Sequence, residues 1–182
     1  PKAFSASIRT TSYGVPHILA DNFKGAGYGY GYAFAAENIC LYAEELVTLH
    51  GERSKYFGAA GGYLGQLGTQ SGNLDSDFFY KLVLTPAQAA RLKAGSSQDA
   101  QDLAAGFVAG YNRYRSEIGV ANRPSGCRNM PWVKPMTESD AYLRFSQAAI
   151  TGSSLAFINS IGAAKPPSSV LASTIMALTM LP

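Results

Sequence analysis

Residues 27–58 read GYGYGYAFAAENICLYAEELVTLHGERSKYFG, and the rest of the chain is organised around this stretch. It contains no Gly or Pro from Ala36 to His50. Small or apolar residues recur there at steps of three and four: Ala36, Ile39, Cys40, Ala43, Leu46 and Val47. Polar residues fall on the other side: Glu37, Glu44, Thr48 and Glu52. This spacing predicts an amphipathic helix of about four to five turns, which Gly51 should end.

Glycine occupies every second position from Gly25 to Gly31, just before this helix. Such glycines allow a positive φ or a close approach of the backbone to another group. The spacing opposes a phosphate-binding loop, because no glycine falls where G-x-G-x-x-G needs its third and no Gly-Lys-Ser/Thr follows. The pattern is therefore interpreted as a packed strand-to-helix junction.

Composition indicates one globular domain over residues 1–182, with 47% apolar residues, 15% charged residues and a net charge of +3. The charged fraction is low for a free-standing domain, where about a quarter is usual. Together with 11 Tyr and 9 Phe, it fits either a face buried against a partner or an aromatic-rich core. The basic residues are scattered, which excludes a nucleic-acid-binding stripe.

Other segments give weaker signals along the chain. Residues 5–20 are predicted to be extended around a turn at Tyr13-Gly14, and the glycine-rich residues 58–76 to form a long loop. An aromatic helix is expected after an Asp75-Ser76-Asp77 cap. Further helices are predicted from a Thr85 cap, over 98–118, and from a Thr137 capping box with Asp140 through residue 159. Residues 162–182 are predicted to be a linker-like tail, and its apolar part is too short to span a bilayer.

Chemistry-bearing residues do not form a complete active site. No serine stands in G-x-S-x-G. His17 is interpreted as a satisfied structural histidine, and His50 as a helix-terminal residue whose charge would suit the helix dipole. Glu44, Glu45 and Glu52 are expected on a solvated or salt-bridged face, with Arg53 as partner. The two His and two Cys fit no metal motif, so no metal site or cofactor is predicted; the cysteines could be two buried thiols or one disulfide.

Several separate strings resemble the α-chain of the penicillin acylase family. They are R-x-x-x-YGVPHI (9–18), the Gly-Tyr run (27–32), AENIC (36–40), GERSKYFG (51–58), SDFF (76–79), GFVAGYN (106–112) and CR-x-x-x-WV-x-P (127–135). Within the family, the likeness is closest to N-acyl-homoserine lactone acylases and aculeacin-type lipopeptide acylases. The strings occur in family order over roughly residues 8–160.

The resemblance implies an N-terminal nucleophile hydrolase, exported as one precursor that cleaves itself into two chains. The fold class would be α+β, with this mostly helical α-chain contributing to an αββα sandwich that a separate β-chain completes. The catalytic serine would be the first residue of the β-chain, so no catalytic residue is expected here. The implied location is periplasmic or secreted, and the tail 162–182 would lie near the processing site.

The resemblance also suggests which residues border the substrate. Arg144-Phe145 matches an Arg-Phe pair that borders the side-chain pocket of penicillin acylases. The predicted pocket residues are Leu143, Arg144, Phe145, Ser146, Ala149 and Ile150. Phe145 as an ordinary core residue stays an open alternative. The family's calcium ligand would fall at about Thr151, where no acidic residue stands, so this chain is not expected to supply one. Family cysteines favour a Cys40–Cys127 disulfide, which would imply an oxidising compartment.

The function implied is amide hydrolysis of N-acyl-homoserine lactones, with release of fatty acid and homoserine lactone. The expected partners are the β-chain and an acylated small molecule, with no nucleic acid and no membrane span. Alternatives are a penicillin or other β-lactam acylase, or a cyclic lipopeptide acylase. A different class of function, a non-catalytic helical binding module that docks through its aromatic face, also stays open.

Overall fold

Helices dominate the computed structural model, which describes residues 4–65, 68 and 70–166. The elements in chain order are β1 (Ser7–Thr10), β2 (Pro16–Leu19), α1 (Phe23–Leu49), α2 (Arg53–Phe57), β3 (Gly62–Leu64), β4 (Gln70–Gly72), α3 (Asn73–Val83), α4 (Pro86–Gly95), α5 (Gln98–Ile118), α6 (Glu138–Ile150), a 3-10 turn (Ser154–Phe157) and α7 (Ile158–Gly162). This confirms the mostly helical character expected of the chain.

Helix α1 is longer than predicted, because it already begins at Phe23 and includes the whole glycine run. Asn22 caps it, accepting a hydrogen bond from the Gly25 N–H at 2.8 Å. The predicted strand-to-helix junction was therefore wrong. Near the middle, Asn38 departs from helical geometry (φ −129°, ψ 19°). Gly51, with φ +59°, follows the helix end as predicted.

Gly27 and Gly31 of α1 face α5, which crosses at backbone contact, whereas Gly25 and Gly29 face residues of the β1–β2 hairpin and its flanks. A Cβ on Gly27 would lie 2.1 Å from the Leu103 carbonyl oxygen, and one on Gly31 would lie 2.1 Å from that of Phe107. On α5, a Cβ on Gly110 would lie 2.0 Å from the Tyr28 carbonyl oxygen. Close approach, rather than a turn, is thus the reason for this glycine pattern.

Two short antiparallel hairpins flank the helices. β1 pairs with β2 in the register Ile8↔Ile18, and Gly14 in the predicted turn has φ +83°. The predicted long loop over 58–76 was wrong in part, because it contains the β3–β4 pair with register Tyr63↔Ser71.

Helix α3 begins at Asn73, so the Asp75-Ser76-Asp77 sequence lies inside it and is not its cap. Asp77 serves the neighbouring helix instead. Its carboxylate accepts hydrogen bonds from the backbone N–H groups of Arg53 and Ser54, at 2.7 and 2.8 Å, in the first turn of α2. A local cap signal was therefore assigned to the wrong helix.

The remaining helix starts agree with their predicted caps. Thr85 forms a capping box with Gln88, and Thr137 forms one with Asp140. Helix α6 ends at Ile150, however, and does not continue to residue 159. The chain turns before the 3-10 segment and α7, and α7 packs against α3.

The core has two adjoining parts. The larger one joins α1, α3, α5 and α6, with Tyr80, Tyr111 and Tyr142 among its most buried side chains. The smaller one packs Ile39, Ala43, Val47, Trp132 and Val133 around a Cys40–Cys127 disulfide, so the predicted bond is present. It ties α1 to the loop that follows α5.

Most of the predicted tail over 162–182 lies outside the described residues, because these end at residue 166. A single domain over 1–182 therefore stays a prediction. Among the described helices, none combines the length and the apolar character needed to cross a membrane.

Candidate functional site

An apolar groove opens where α1, α5 and α6 meet. Its volume is about 360 Å³, and most of its exposed lining is apolar. The lining residues are Tyr30, Phe34, Tyr42, Leu103, Ala104, Phe107, Ala141, Arg144, Phe145 and Ala148. The volume falls at the lower end of the range for pockets that enclose drug-sized ligands, roughly 300–1,000 Å³.

Phe107 of α5 lies at the centre of the groove's aromatic wall. Its ring centroid lies 5.4 Å from that of Tyr30, 5.7 Å from Phe34 and 5.8 Å from Tyr42. Phe34 also meets Tyr42 edge-on at 5.2 Å. Because these rings support one another, the wall is ordered before any ligand arrives.

Helix α6 supplies the opposite side through Arg144 and Phe145. The Phe145 ring is half exposed and is held edge-on against Tyr142 at 5.7 Å. The small side chains of Ala141 and Ala148 leave the space between them open. Burial raises the pKa of Tyr42 although the Arg144 charge opposes it, so the Tyr42 hydroxyl is neutral in this apolar setting.

The start of α6 is fixed to the end of α1 by an ionic hydrogen bond. His50 Nε2 lies 2.6 Å from Asp140 Oδ1, while the other oxygen of Asp140 accepts the Thr137 N–H at 2.7 Å. The hydrogen bond that His50 donates to Asp140 raises the pKa of His50 and outweighs its burial. Burial alone would raise the pKa of Asp140, but the hydrogen bonds from His50 and Thr137 lower it.

Two of the six predicted pocket residues, Arg144 and Phe145, lie together on the groove. Leu143 is buried in the larger core, and Ile150 packs against it. Ser146 donates its hydroxyl hydrogen to the Tyr142 carbonyl at 2.9 Å. Ala149 is exposed outside the groove lining, and its neighbour Ala148 takes the lining position.

The aromatic wall on α1 and α5 was not predicted from the sequence. Tyr30 and Phe34 are spaced i, i+4, and Phe107 stands in the aromatic stripe of α5. This spacing of aromatic residues is typical of one helix face. It was not recognised because the glycine run was predicted to precede the helix, which left Tyr30 outside it. Once α1 is extended to Phe23, the spacing puts both rings on one face.

A second concavity, of about 270 Å³, is lined by charged as well as apolar side chains, and its charged groups hold the fold together. Arg53 is only 4% exposed there. Its guanidinium donates to Asn73 Oδ1 at 3.0 Å, Thr48 Oγ1 at 2.9 Å and Glu44 Oε1 at 3.0 Å. The same group stacks 3.7 Å from the centre of the Tyr63 ring. The predicted Glu44–Arg53 pair is thus confirmed.

This network also corrects the predicted polar face of α1. Thr48 is buried rather than exposed with the glutamates, since Arg53 draws its hydroxyl into the interior. His17 also differs from its prediction, because it is exposed on β2 opposite Arg9 rather than enclosed. In the described part of the chain, no group of three or more His, Cys, Asp or Glu side chains is placed to hold a metal ion.

The chain is similar to several known proteins. A family model described as penicillin amidase matches residues 5–177. The acyl-homoserine lactone acylase PvdQ of Pseudomonas fluorescens is 37% identical over 167 residues, covering 92% of this chain and 21% of that protein. The aculeacin-A acylase of Actinoplanes utahensis is 38% identical over 167 residues, covering 90% of this chain and 21% of that protein.

A solved structure has a similar fold. The thermostable penicillin G acylase of Alcaligenes faecalis superposes with a TM-score of 0.67 at 26% identity, covering 82% of this chain and 74% of that chain. By contrast, the chain spans about a fifth of the length of the curated relatives it matches. The likeness therefore covers nearly all of this chain and a small part of those proteins.

Proposed function

The chain belongs to the penicillin amidase family, and we propose that it is the small subunit of an exported acylase that hydrolyses N-acyl-homoserine lactones. The products are a fatty acid and homoserine lactone. The observation that carries the proposal is the apolar groove beside Arg144 and Phe145, in a chain 37% identical to an acyl-homoserine lactone acylase.

In this proposal the chemistry belongs to a companion β-chain that completes the αββα sandwich. Its N-terminal serine attacks the amide carbonyl, with its own α-amino group as the base. The amine leaves as the acyl-enzyme forms, and water then releases the fatty acid. Donors that stabilise the oxyanion in both steps also come from the β-chain.

This chain contributes the wall against which the acyl chain lies. The groove presents rings and methyl groups along most of its length, which suits a hydrocarbon rather than a charged substrate. Burying each methylene contributes about 0.8 kcal/mol, so the length of the groove would set which acyl chains bind best. Arg144 would lie at the polar edge, and the buried Leu143 and the half-buried Ile150 would support the wall.

Export to the periplasm or the medium is part of the proposal. The Cys40–Cys127 disulfide supports it, because disulfides persist in oxidising compartments. The predicted tail 162–182 would then lie near the site where the precursor is cut.

A lipopeptide acylase is the second candidate, favoured by the 38% identity to the aculeacin-A acylase. It would use the same groove for a fatty acyl chain and differ in the amine that leaves. A β-lactam acylase would instead accept short aromatic acyl groups.

The test is to purify the protein in its native form, identify its chains by denaturing mass spectrometry, and assay it. A companion chain that begins with serine is expected, together with release of homoserine lactone from long-chain substrates in preference to phenylacetyl amides. Release of amine only from a lipopeptide would favour the second candidate. A single folded chain without hydrolysis would contradict the proposal and favour the helical binding module.

A further inference from the structure

Arg123 is a buried arginine without an acidic partner in the part of the chain that the structure describes. It lies in the loop after α5 and is 4% exposed. Among the described residues, its buried Nε has no hydrogen-bond partner, and none of the ion pairs includes it. The residues on either side, Asn122 and Pro124, are exposed, so Arg123 lies just beneath the surface.

The charged group that acts on Arg123 is a second cation rather than a carboxylate. This cation is Arg115, whose Nε donates to the Val133 carbonyl at 3.2 Å. Both guanidinium charges act to lower the pKa of Tyr111 against the effect of its burial. Among the described residues, the buried hydroxyl of Tyr111 has no hydrogen-bond partner. Burial and the Arg115 charge both lower the pKa of Arg123. The site therefore gathers positive charge and unused N–H and O–H groups.

The loop that holds Arg123 is fixed, so these donors are fixed too. The disulfide anchors Cys127 to α1, Arg128 Nε donates to the Arg123 carbonyl at 3.1 Å, and Trp132 packs into the smaller core. A donor group held in place before binding loses little freedom when an acceptor arrives.

Arg53 is a buried arginine of the same chain whose guanidinium has hydrogen-bond acceptors. It is buried to the same 4%, yet its guanidinium has three oxygen acceptors, one of them a carboxylate. Removing a charge from water without such a partner costs several kcal/mol. Among the described residues, Arg53 thus has its acceptors, whereas the Nε of Arg123 has none and no carboxylate pairs with its charge.

We infer that Arg123, together with Arg115 and the Tyr111 hydroxyl, forms a docking site for a single carboxylate side chain, Asp or Glu, of the companion β-chain. The inference rests on the proposed two-chain enzyme. A carboxylate fits because it offers two acceptor oxygens and one negative charge, and a guanidinium can bind it through two parallel hydrogen bonds. The position just beneath the surface limits the ligand to one side chain entering from outside.

The experiment uses the assembled two-chain protein and the variant Arg123→Met, which keeps the apolar stem and removes the charge. If a carboxylate of the β-chain binds there, the variant leaves that carboxylate buried and unpaired. At a fixed urea concentration, the ratio of separated to associated chains, measured by native mass spectrometry, is expected to rise about 30-fold or more. If Arg123 is unpaired or bound only to water, removing its charge leaves association unchanged or strengthens it, and the inference is overturned.

Two further variants control for charge and for folding. Arg91→Met makes the same change at an exposed arginine of α4 and should leave the ratio unchanged. If Arg123→Met does not assemble, Arg123→Lys and Arg123→Gln replace it. The lysine variant should keep most of the association and the glutamine variant should lose it, and equal behaviour of the two would contradict the inference.

The outcome for the native protein separates this inference from the proposed function. A mass spectrum with one chain only would remove the acylase proposal and this site with it. Two chains together with an unchanged ratio in Arg123→Met would leave the acylase proposal standing and overturn the carboxylate site alone.

Discussion

The two sides of α5 are built in opposite ways. Toward α1, Gly106 and Gly110 face Gly27 and Gly31, and the backbones are so close that a single methyl group would collide with a carbonyl oxygen. Toward α6, Phe107 faces an open groove of about 360 Å³. This closed contact, the backbone contact between α1 and α5, fixes the two helices relative to each other. The neighbouring groove keeps its shape because its aromatic wall belongs to those two helices.

The closed contact should be the most sensitive part of the chain. Gly31→Val adds a branched side chain whose Cβ would lie 2.1 Å from the Phe107 carbonyl oxygen, and backbone atoms give way poorly. The free energy of unfolding should fall by about 5 kcal/mol, enough to prevent folding of a typical domain. Urea unfolding of the assembled protein measures it.

The control for this change is Gly95→Ala at the end of α4, where a Cβ meets open space. It should alter stability by less than about 1 kcal/mol. A Gly31→Val protein as stable as the control would show that α1 and α5 do not touch as described, and the contrast between the two sides would disappear.

The disulfide should come next in size, because it ties the closed side to the loop after α5. The double variant Cys40→Ala/Cys127→Ala should lose about 3 kcal/mol of unfolding free energy. The wild-type protein with its disulfide reduced should unfold at the same urea concentration as the variant. If reduction has no effect on unfolding, the bond does not brace this side.

The His50–Asp140 bond, which fixes α6 to α1 on the open side, should give a smaller effect that depends on pH. Asp140 raises the pKa of His50, so the bond stabilises the fold fully below the unfolded pKa of about 6.5 and loses that contribution as pH rises through the higher folded value. Because the His50 side chain is 38% exposed, the contribution is below about 1 kcal/mol.

Thermal unfolding of wild type and His50→Gln over a series of pH values would measure this contribution. The difference between the two proteins should be largest at mildly acidic pH, where His50 is protonated and Asp140 is still ionised, and should shrink toward alkaline pH. A difference that grows with pH would contradict the direction of the shift.

Filling the groove should affect stability least and specificity most. Ala148→Phe adds a ring at a lining position that is exposed, so stability should change by no more than about 0.5 kcal/mol. In the assembled enzyme, the ratio of kcat/KM for long over short acyl chains should fall about 10-fold. Ala149→Phe, one residue away and outside the groove lining, is the matched control. Equal profiles for both variants would place the acyl chain elsewhere.

Local signals in the sequence were enough for much of the fold. Thr85 and Thr137 were recognised as caps because a capping box acts over four residues and needs no tertiary knowledge. The glycine run failed because its meaning depends on α5, which lies some 75 residues later in the chain. Asp77 failed for the same reason, since it caps a helix that precedes it by more than 20 residues.

The residues of the candidate site also differ in whether local sequence could predict them. Arg144 and Phe145 were named through a motif and do lie on the groove. Ala148 in place of Ala149, and the rings of Tyr30 and Phe107, follow from how three helices are rotated against one another. Helix rotation is set by packing, and no short stretch of sequence specifies it.

The glycine run also has a consequence for the order of folding. Each glycine in a helix interior disfavours the helix by about 1 kcal/mol relative to alanine, and α1 carries four of them in its first nine residues. That first third of α1 should therefore be unstable in the newly made chain and become helical only when α5 is present to cover it. Because α5 must be synthesised first, the start of the chain should remain unstructured while the middle is being made, and chaperones would have access to it during that interval.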